Sequence, residues 1–300
     1  VKVKEPMSTI ESSGDSALPP RGMGLLWTFA LCFVFYVVLI ALCIAAVAVY
    51  AVWAATQGRP LTMDMDMFAF LLIPQTLAWV ATIGLALVWP RQPWRDAVPV
   101  WPARPAIAPA IIVTSLGASI LLSEIAGWIP MSEAFHRSMM EGFTDGSVIA
   151  RLLVLVIVAP IAEEVFFRGI VLGQFLRRYT STQAVWFSAI IFAVFHLNPW
   201  QAVVALPLGV WYAWMVLRTG SILPGMLSHM VVNLTAGFLF SPMGEAFGYD
   251  QEEFLELSHV PPAMLATGAA LVTVGGLVAW RQITSSGSAG NPDTPADVAG

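Results

Sequence analysis

Apolar residues along this chain gather into eight long runs separated by short polar stretches, at about 25–53, 67–90, 106–130, 148–173, 183–197, 199–218, 221–241 and 262–281. A helix needs roughly 20 apolar residues to cross a bilayer core, and fewer where it is tilted or broken against protein. The pattern therefore predicts eight spanning helices. The fifth and sixth runs are divided only by Asn198-Pro199, a turn signal, and read as a helical hairpin. The first run, Leu25 to Trp53, is too long for a signal-peptide core and reads as a retained span. The flanking stretches 1–22 and 282–300 are rich in Ser, Pro, Gly and Asp, and are expected to be flexible cytoplasmic tails.

Composition sharpens the class. Hydrophobic residues make up 58% of the 300, charged residues 11%, and mean hydropathy is +0.76. Soluble domains carry about 25% charged residues, so lipid must be the main solvent here. The expected fold is all-α, a polytopic transmembrane helix bundle of about eight spans. Within it, 23–147 reads as N-terminal transmembrane helices, 148–241 as a helical core, and 242–281 as an outer loop with the last span. Net charge is −5 and no Lys/Arg-rich run occurs, which excludes a nucleic-acid partner. Cys32 and Cys43, eleven residues apart on one helix, are roughly 16 Å apart and too distant for a disulfide.

The basic residues set the expected orientation. Lys2, Lys4, Arg21, Arg91, Arg95, Arg104, Arg177, Arg178, Arg218 and Arg281 fall on the side of the termini, against Arg59 and Arg137 on the other. The positive-inside rule then puts both termini in the cytoplasm, as for an integral protein of a bacterial plasma membrane. Trp27, Trp53, Trp89, Trp94, Trp101, Trp128, Trp200 and Trp280 fall mostly near run ends, as interfacial anchors do.

Polar residues inside the runs are the exception that needs a reason. The fourth run holds Glu163, Glu164 and Arg168. Each charge at bilayer depth costs about 2.5–3.5 kcal/mol on insertion scales. Glu164 and Arg168, four apart, share a helix face and can pair; Glu163 lies about 100° around and is left for other work. Pro160 is expected to kink this helix just ahead of the three. The fifth run ends on Phe192 and, one turn later, His196; the seventh places His229 and Asn233 on one face. Structural hydrogen bonding explains a lone membrane histidine well. Two of them beside a spare glutamate and an amide supply instead a base, a proton carrier and donors for developing negative charge. Elsewhere, Glu124 and Arg151 are expected to pair across helices, and His136 and His259 to be ordinary loop residues.

These three motifs resemble those of the CPBP family, also called the ABI or type II CAAX prenyl endopeptidase-like family of intramembrane proteases. Its EExxxR, FxxxH and HxxxN elements correspond here to Glu163-Glu164 with Arg168, Phe192 with His196, and His229 with Asn233. The resemblance implies that Glu163 and His196 activate a water, that His229 and Asn233 donate to the oxyanion, and that Glu164, Arg168 and Phe192 support them. It implies a membrane-associated protein or peptide as substrate. Zinc is the alternative cofactor, with Glu163, His196 and His229 as ligands, although HExxH spacing is absent. A bacteriocin-immunity-like or scaffolding role without proteolysis is the competing function. A proton-coupled transporter ranks last, because the intramembrane charges occupy one half of the chain only. One tension stands out: His196 closes the fifth run whereas Glu163 lies past the middle of the fourth, so the fifth helix must be tilted or re-entrant to bring them level.

Overall fold

The computed structural model of the chain describes residues 23–58, 66–88, 97–100, 105–132, 147–249 and 259–287. The expectations for residues 1–22, Arg59, Trp89, Trp94, Trp101, His136 and Arg137 lie outside them. Every apolar run becomes a helix: α1 (Leu25–Thr56), α2 (Met67–Val88), α3 (Ala108–Gly127, entered through a 3-10 turn at Pro105–Ile107), α4 (opening at Val148–Arg151), α5 (Ser181–Phe195), α6 (Pro199–Thr219), α7 (opening at Leu223–Leu234) and α8 (Pro262–Gly287). Among the described residues, five helices are long and apolar enough to cross a membrane, namely α1, α2, α3 with its entry turn, α6 and α8. α5 and α7 are apolar but shorter. α8 continues to Gly287, past the expected end at 281, so the expected tail from 282 is helical in its first residues.

α4 is the hub, and its ladder widens to π register twice. After Val148–Arg151 it runs as a π-helix over Leu152–Val158, returns to α over Ala159–Glu163, widens again over Glu164–Val171, and ends as Leu172–Leu176. Pro160 explains the first change. In the wide register the Ala159 N–H reaches back to the Val154 carbonyl, and the next donor in line for Leu155 is Pro160, which has no N–H. A register shift thus stands where a simple kink was expected, and it leaves the Leu155 carbonyl free.

Around α4 the core is aromatic. Phe166, Phe167, Ile170, Val171, Leu172 and Phe175 are fully buried and meet Phe35 of α1, Trp79 of α2 and Phe192 and Phe195 of α5 in one cluster. α3 and α8 pack backbone to backbone: a Cβ on Gly117 would stand 2.6 Å from the Gly268 carbonyl, and one on Gly275 would stand 2.8 Å from Thr114 Oγ1. Small residues at such a crossing permit close helix approach in lipid.

The turn between α5 and α6 settles the depth question. α5 spans only 15 residues and stops at His196; Leu197 takes a left-handed φ of 51°, and Asn198 caps α6 by accepting from the Trp200 and Gln201 N–H groups. At about 1.5 Å per residue, His196 lies ~22 Å from Ser181 and Glu163 ~20 Å from Leu176. By this estimate the short α5 brings the two to similar depth. α7 starts high in the bundle, resting on residues 97–100, where the Pro99 carbonyl accepts from Ile222 N at 2.9 Å.

The expected pairing of Glu124 with Arg151 does not form. Glu124 accepts from Trp128 Nε1 (2.8 Å) and Val260 N (2.8 Å) and lies 3.0 Å from His259 Nδ1. His259, expected to be an ordinary loop residue, therefore ties the start of α8 to the end of α3. Arg151 sits over the Phe238 ring instead, 4.7 Å from its centroid. Both glutamate and arginine found partners on elements that the apolar pattern could not orient.

Candidate active site

Glu163 and Glu164 fall where α4 passes from α to π geometry, one on each side of the change. Both are buried, as are Arg168 and His229. Glu164 Oε1 lies 3.2 Å from Arg168 Nη1 and 3.1 Å from His229 Nδ1, so this carboxylate joins α4 to α7. Room for it comes from Gly225, where a Cβ would stand 3.2 Å from Glu164 Oε2. The Arg168 guanidinium is held by ring faces as well as by charge: its carbon is 4.1 Å from the Phe192 centroid and 5.1 Å from that of Tyr212. Its Nε and Nη2 have no hydrogen-bond partner. Gly209 admits it, since a Cβ there would come within 3.2 Å of Arg168 Nη2.

His229 is fixed from several directions. Its ring stacks on Tyr212 with centroids 5.3 Å apart and an interplanar angle of 26°, and meets Phe192 nearly at right angles at 5.7 Å. With Nδ1 on Glu164, Nε2 is turned to Glu163 Oε2 at 3.8 Å. That Glu163 oxygen is buried and has no hydrogen-bond partner. Each glutamate thus keeps one buried oxygen without a hydrogen-bond partner, Glu164 Oε2 as well as Glu163 Oε2, and the two differ in that only Glu164 is tied to Arg168.

His196 stands half-buried at the C-cap of α5, with Nδ1 2.8 Å from the Phe192 carbonyl. A carbonyl can only accept, so Nδ1 carries the proton and a neutral ring leaves the Nε2 lone pair available. Its ring packs perpendicular to Phe192 at 4.9 Å. Phe192 is therefore the shared neighbour of Arg168, His196 and His229, which gives the aromatic position of the second motif a physical role. No hydrogen bond or ion pair joins His196 to Glu163. Asn233, one turn beyond His229, donates from Nδ2 to the Leu155 carbonyl at 2.8 Å, the carbonyl freed by Pro160.

The zinc set expected as an alternative is not assembled. Among the described residues no group of three or more His, Cys, Asp and Glu side chains is gathered so as to hold a metal ion. Each ring has Nδ1 engaged, His229 with Glu164 and His196 with its own helix.

Residues 145–235 match the family model described as Type II CAAX prenyl endopeptidase Rce1-like. This stretch of the chain is similar to that family. Its description is that of an endopeptidase, and all three motifs lie inside it. No curated protein and no solved structure matches the chain. The Rce1-like stretch covers α4 to α6 and the first part of α7, whereas α1, α2, α3 and α8 lie outside it.

Several residues around the site are absent from the sequence motifs. Tyr212, Gly209, Gly225 and Ser228 fall within the Rce1-like stretch. Ser228 shares a buried 2.7 Å hydrogen bond with Ser115 of α3, which anchors α7 just before His229. Tyr36 of α1 donates to the Phe195 carbonyl, beside His196. Single hydroxyls and glycines in apolar runs carry no spacing signal, and only their three-dimensional neighbours reveal them.

Proposed function

We propose that the chain is an intramembrane endopeptidase that hydrolyses a peptide bond of a membrane-associated protein or peptide, using water activated by Glu163 and His196. The observation that carries this reading is the unpartnered, buried Glu163 Oε2 facing His229 Nε2 at 3.8 Å. A buried carboxylate is costly without a cation beside it, and the arginine that offsets this cost at Glu164 is not shared with Glu163.

In this mechanism the Glu163 carboxylate takes a proton from water while the His196 Nε2 lone pair accepts from the second water hydrogen. The hydroxide attacks the carbonyl carbon, and the C=O π pair moves onto oxygen. His229 Nε2–H, when the ring is protonated between the two glutamates, and the second Nδ2–H of Asn233 donate to that oxyanion. Collapse breaks the C–N bond, and the proton held by Glu163 passes to the leaving amine. Glu164, Arg168 and Phe192 hold these groups in place. The family description points to a prenylated C-terminal tail as one substrate class. Both termini lie in the cytoplasm in this reading, following the basic residues.

The test uses the purified chain in detergent with a peptide library, wild type against Glu163→Gln, each with and without a strong chelator. Cleavage that resists chelator and disappears in a folded Glu163→Gln variant is the expected result. Cleavage abolished by chelator and restored by zinc overturns the mechanism. A biological phenotype unchanged in Glu163→Gln supports the scaffolding role instead.

A further inference from the structure

Two prolines near the site each free a backbone carbonyl, and each carbonyl receives a side chain from another helix. Pro160 frees Leu155, which receives Asn233. Pro199 does the same at the end of α5. The helical partner of the Phe195 carbonyl would be the N–H four residues on, and residue 199 has none. The chain instead closes α5 with His196 N to the Ala193 carbonyl and Leu197 N to the Val194 carbonyl, then turns through the left-handed Leu197. Phe195 is itself buried. Its carbonyl is satisfied by the phenol of Tyr36, eleven residues into α1.

Tyr36 is also packed for this task. Its ring lies 5.1 Å from that of Phe195 and 5.3 Å, edge-on, from that of Phe35. Phe35 in turn contacts Trp79 and Phe195, so the phenol is braced by α2 and α5 together. His196 depends on this turn. Its ring is tethered to the Phe192 carbonyl within α5, and its backbone is the residue after the one that Tyr36 grips. Glu163 lies within electrostatic reach of the same phenol.

We infer that Tyr36, on a helix outside the Rce1-like stretch, is a positioning residue that holds the C-terminal turn of α5 and thereby aims His196 Nε2 at the reaction site. The inference rests on the role given above to His196. It assigns to α1, whose length suits it to spanning lipid, a part in the chemistry of the core.

The deciding variant is Tyr36→Phe, which keeps the ring in its aromatic setting and removes only the O–H. Two readouts are taken on the full chain in detergent. The first is the rate at which diethyl pyrocarbonate modifies His196, followed by mass spectrometry with His229 and His259 as internal controls. The expected result is a change of severalfold at His196 alone. The second is peptide cleavage, with kcat lowered about tenfold, the order of one lost hydrogen bond, and KM within about twofold. In a His196→Ala background, Tyr36→Phe should cost nothing further. Unchanged His196 modification, or an equal fractional loss with and without His196, overturns the inference. If the wild-type chain cleaves no peptide, the endopeptidase reading fails on its own, and the modification rates still decide whether Tyr36 positions His196.

Discussion

Glu164 reaches across from α4 to α7 and meets His229 Nδ1 at 3.1 Å, which leaves the imidazole edge bearing Nε2 directed at Glu163. The two adjacent glutamates therefore divide the work. Glu164 belongs to an ion pair with Arg168 in which neither side chain has any exposure, whereas Glu163 has no arginine partner and meets only His229, at 3.8 Å.

This division predicts opposite outcomes for two conservative changes. Glu164→Gln leaves Arg168 charged and unpaired among aromatic rings, and breaking a buried pair from one side costs roughly 3–5 kcal/mol. The variant should melt well below wild type in detergent or fail to accumulate. Glu163→Gln disturbs no ion pair with arginine and should melt close to wild type while losing cleavage. Thermal unfolding of the two variants side by side checks both halves.

The α3–α8 crossing offers a stability prediction remote from the chemistry. Gly117→Ala puts a methyl group 2.6 Å from the Gly268 backbone carbonyl, with Leu271 Cβ and Val272 N each at 2.8 Å. Backbone cannot yield cheaply, so the helices must separate, at a cost of about 1–3 kcal/mol. Unfolding should shift accordingly, while kcat for any surviving folded protein stays near wild type.

What the sequence made legible follows from spacing. Charges four apart on a lipid-buried helix announce their own pairing, and Glu164 with Arg168 obeys. The all-helical class and the α5–α6 turn are likewise readable from apolar runs and from Asn198-Pro199, whereas only five of the eight expected spans are long and apolar enough to cross a membrane among the described residues. Glu124 was not, because its partners Trp128, His259 and Val260 include a segment far along the chain whose approach no periodicity encodes. The same holds for Tyr36 and Tyr212, lone phenols in apolar helices. Pro160 lay between these cases: its disruption of α4 was foreseeable, but the π register and the carbonyl it releases to Asn233 were not.

At the end of the bundle where α2 begins, Asp66 gives a pH signature. Its carboxyl is held below the ordinary value of 3.8, chiefly by the Ala69 N–H, then by the Ser147 and Phe68 N–H groups and the charge of Arg151. A depressed folded-state value means that its stabilisation is complete above the unfolded value and disappears as pH falls through the folded one. Asp66→Asn should therefore lower the melting temperature at pH 7, and the gap from wild type should close as pH drops below 3.8. The side chain is partly open to solvent, so the effect should also shrink in high salt. Melting curves across pH at two salt concentrations test the sign.

Asn233 carries the sharpest test of the oxyanion assignment. Its Nδ2 has two protons, and the Leu155 carbonyl takes one at 2.8 Å, fixing the amide and leaving the second free to meet developing negative charge. Removing a donor of this kind costs about 10²–10³ in kcat, whereas losing an ordinary hydrogen bond to a carbonyl costs about 1 kcal/mol of stability. Asn233→Ala should show both losses, with KM little changed. Asn233→Asp separates them further, because a carboxylate can neither donate to Leu155 nor stabilise an oxyanion, and it adds negative charge beside Glu163 and Glu164. Its turnover should fall below that of the alanine variant. Single-turnover cleavage by the two variants, each verified as folded, measures the order; an aspartate variant more active than the alanine one would remove Asn233 from the oxyanion site.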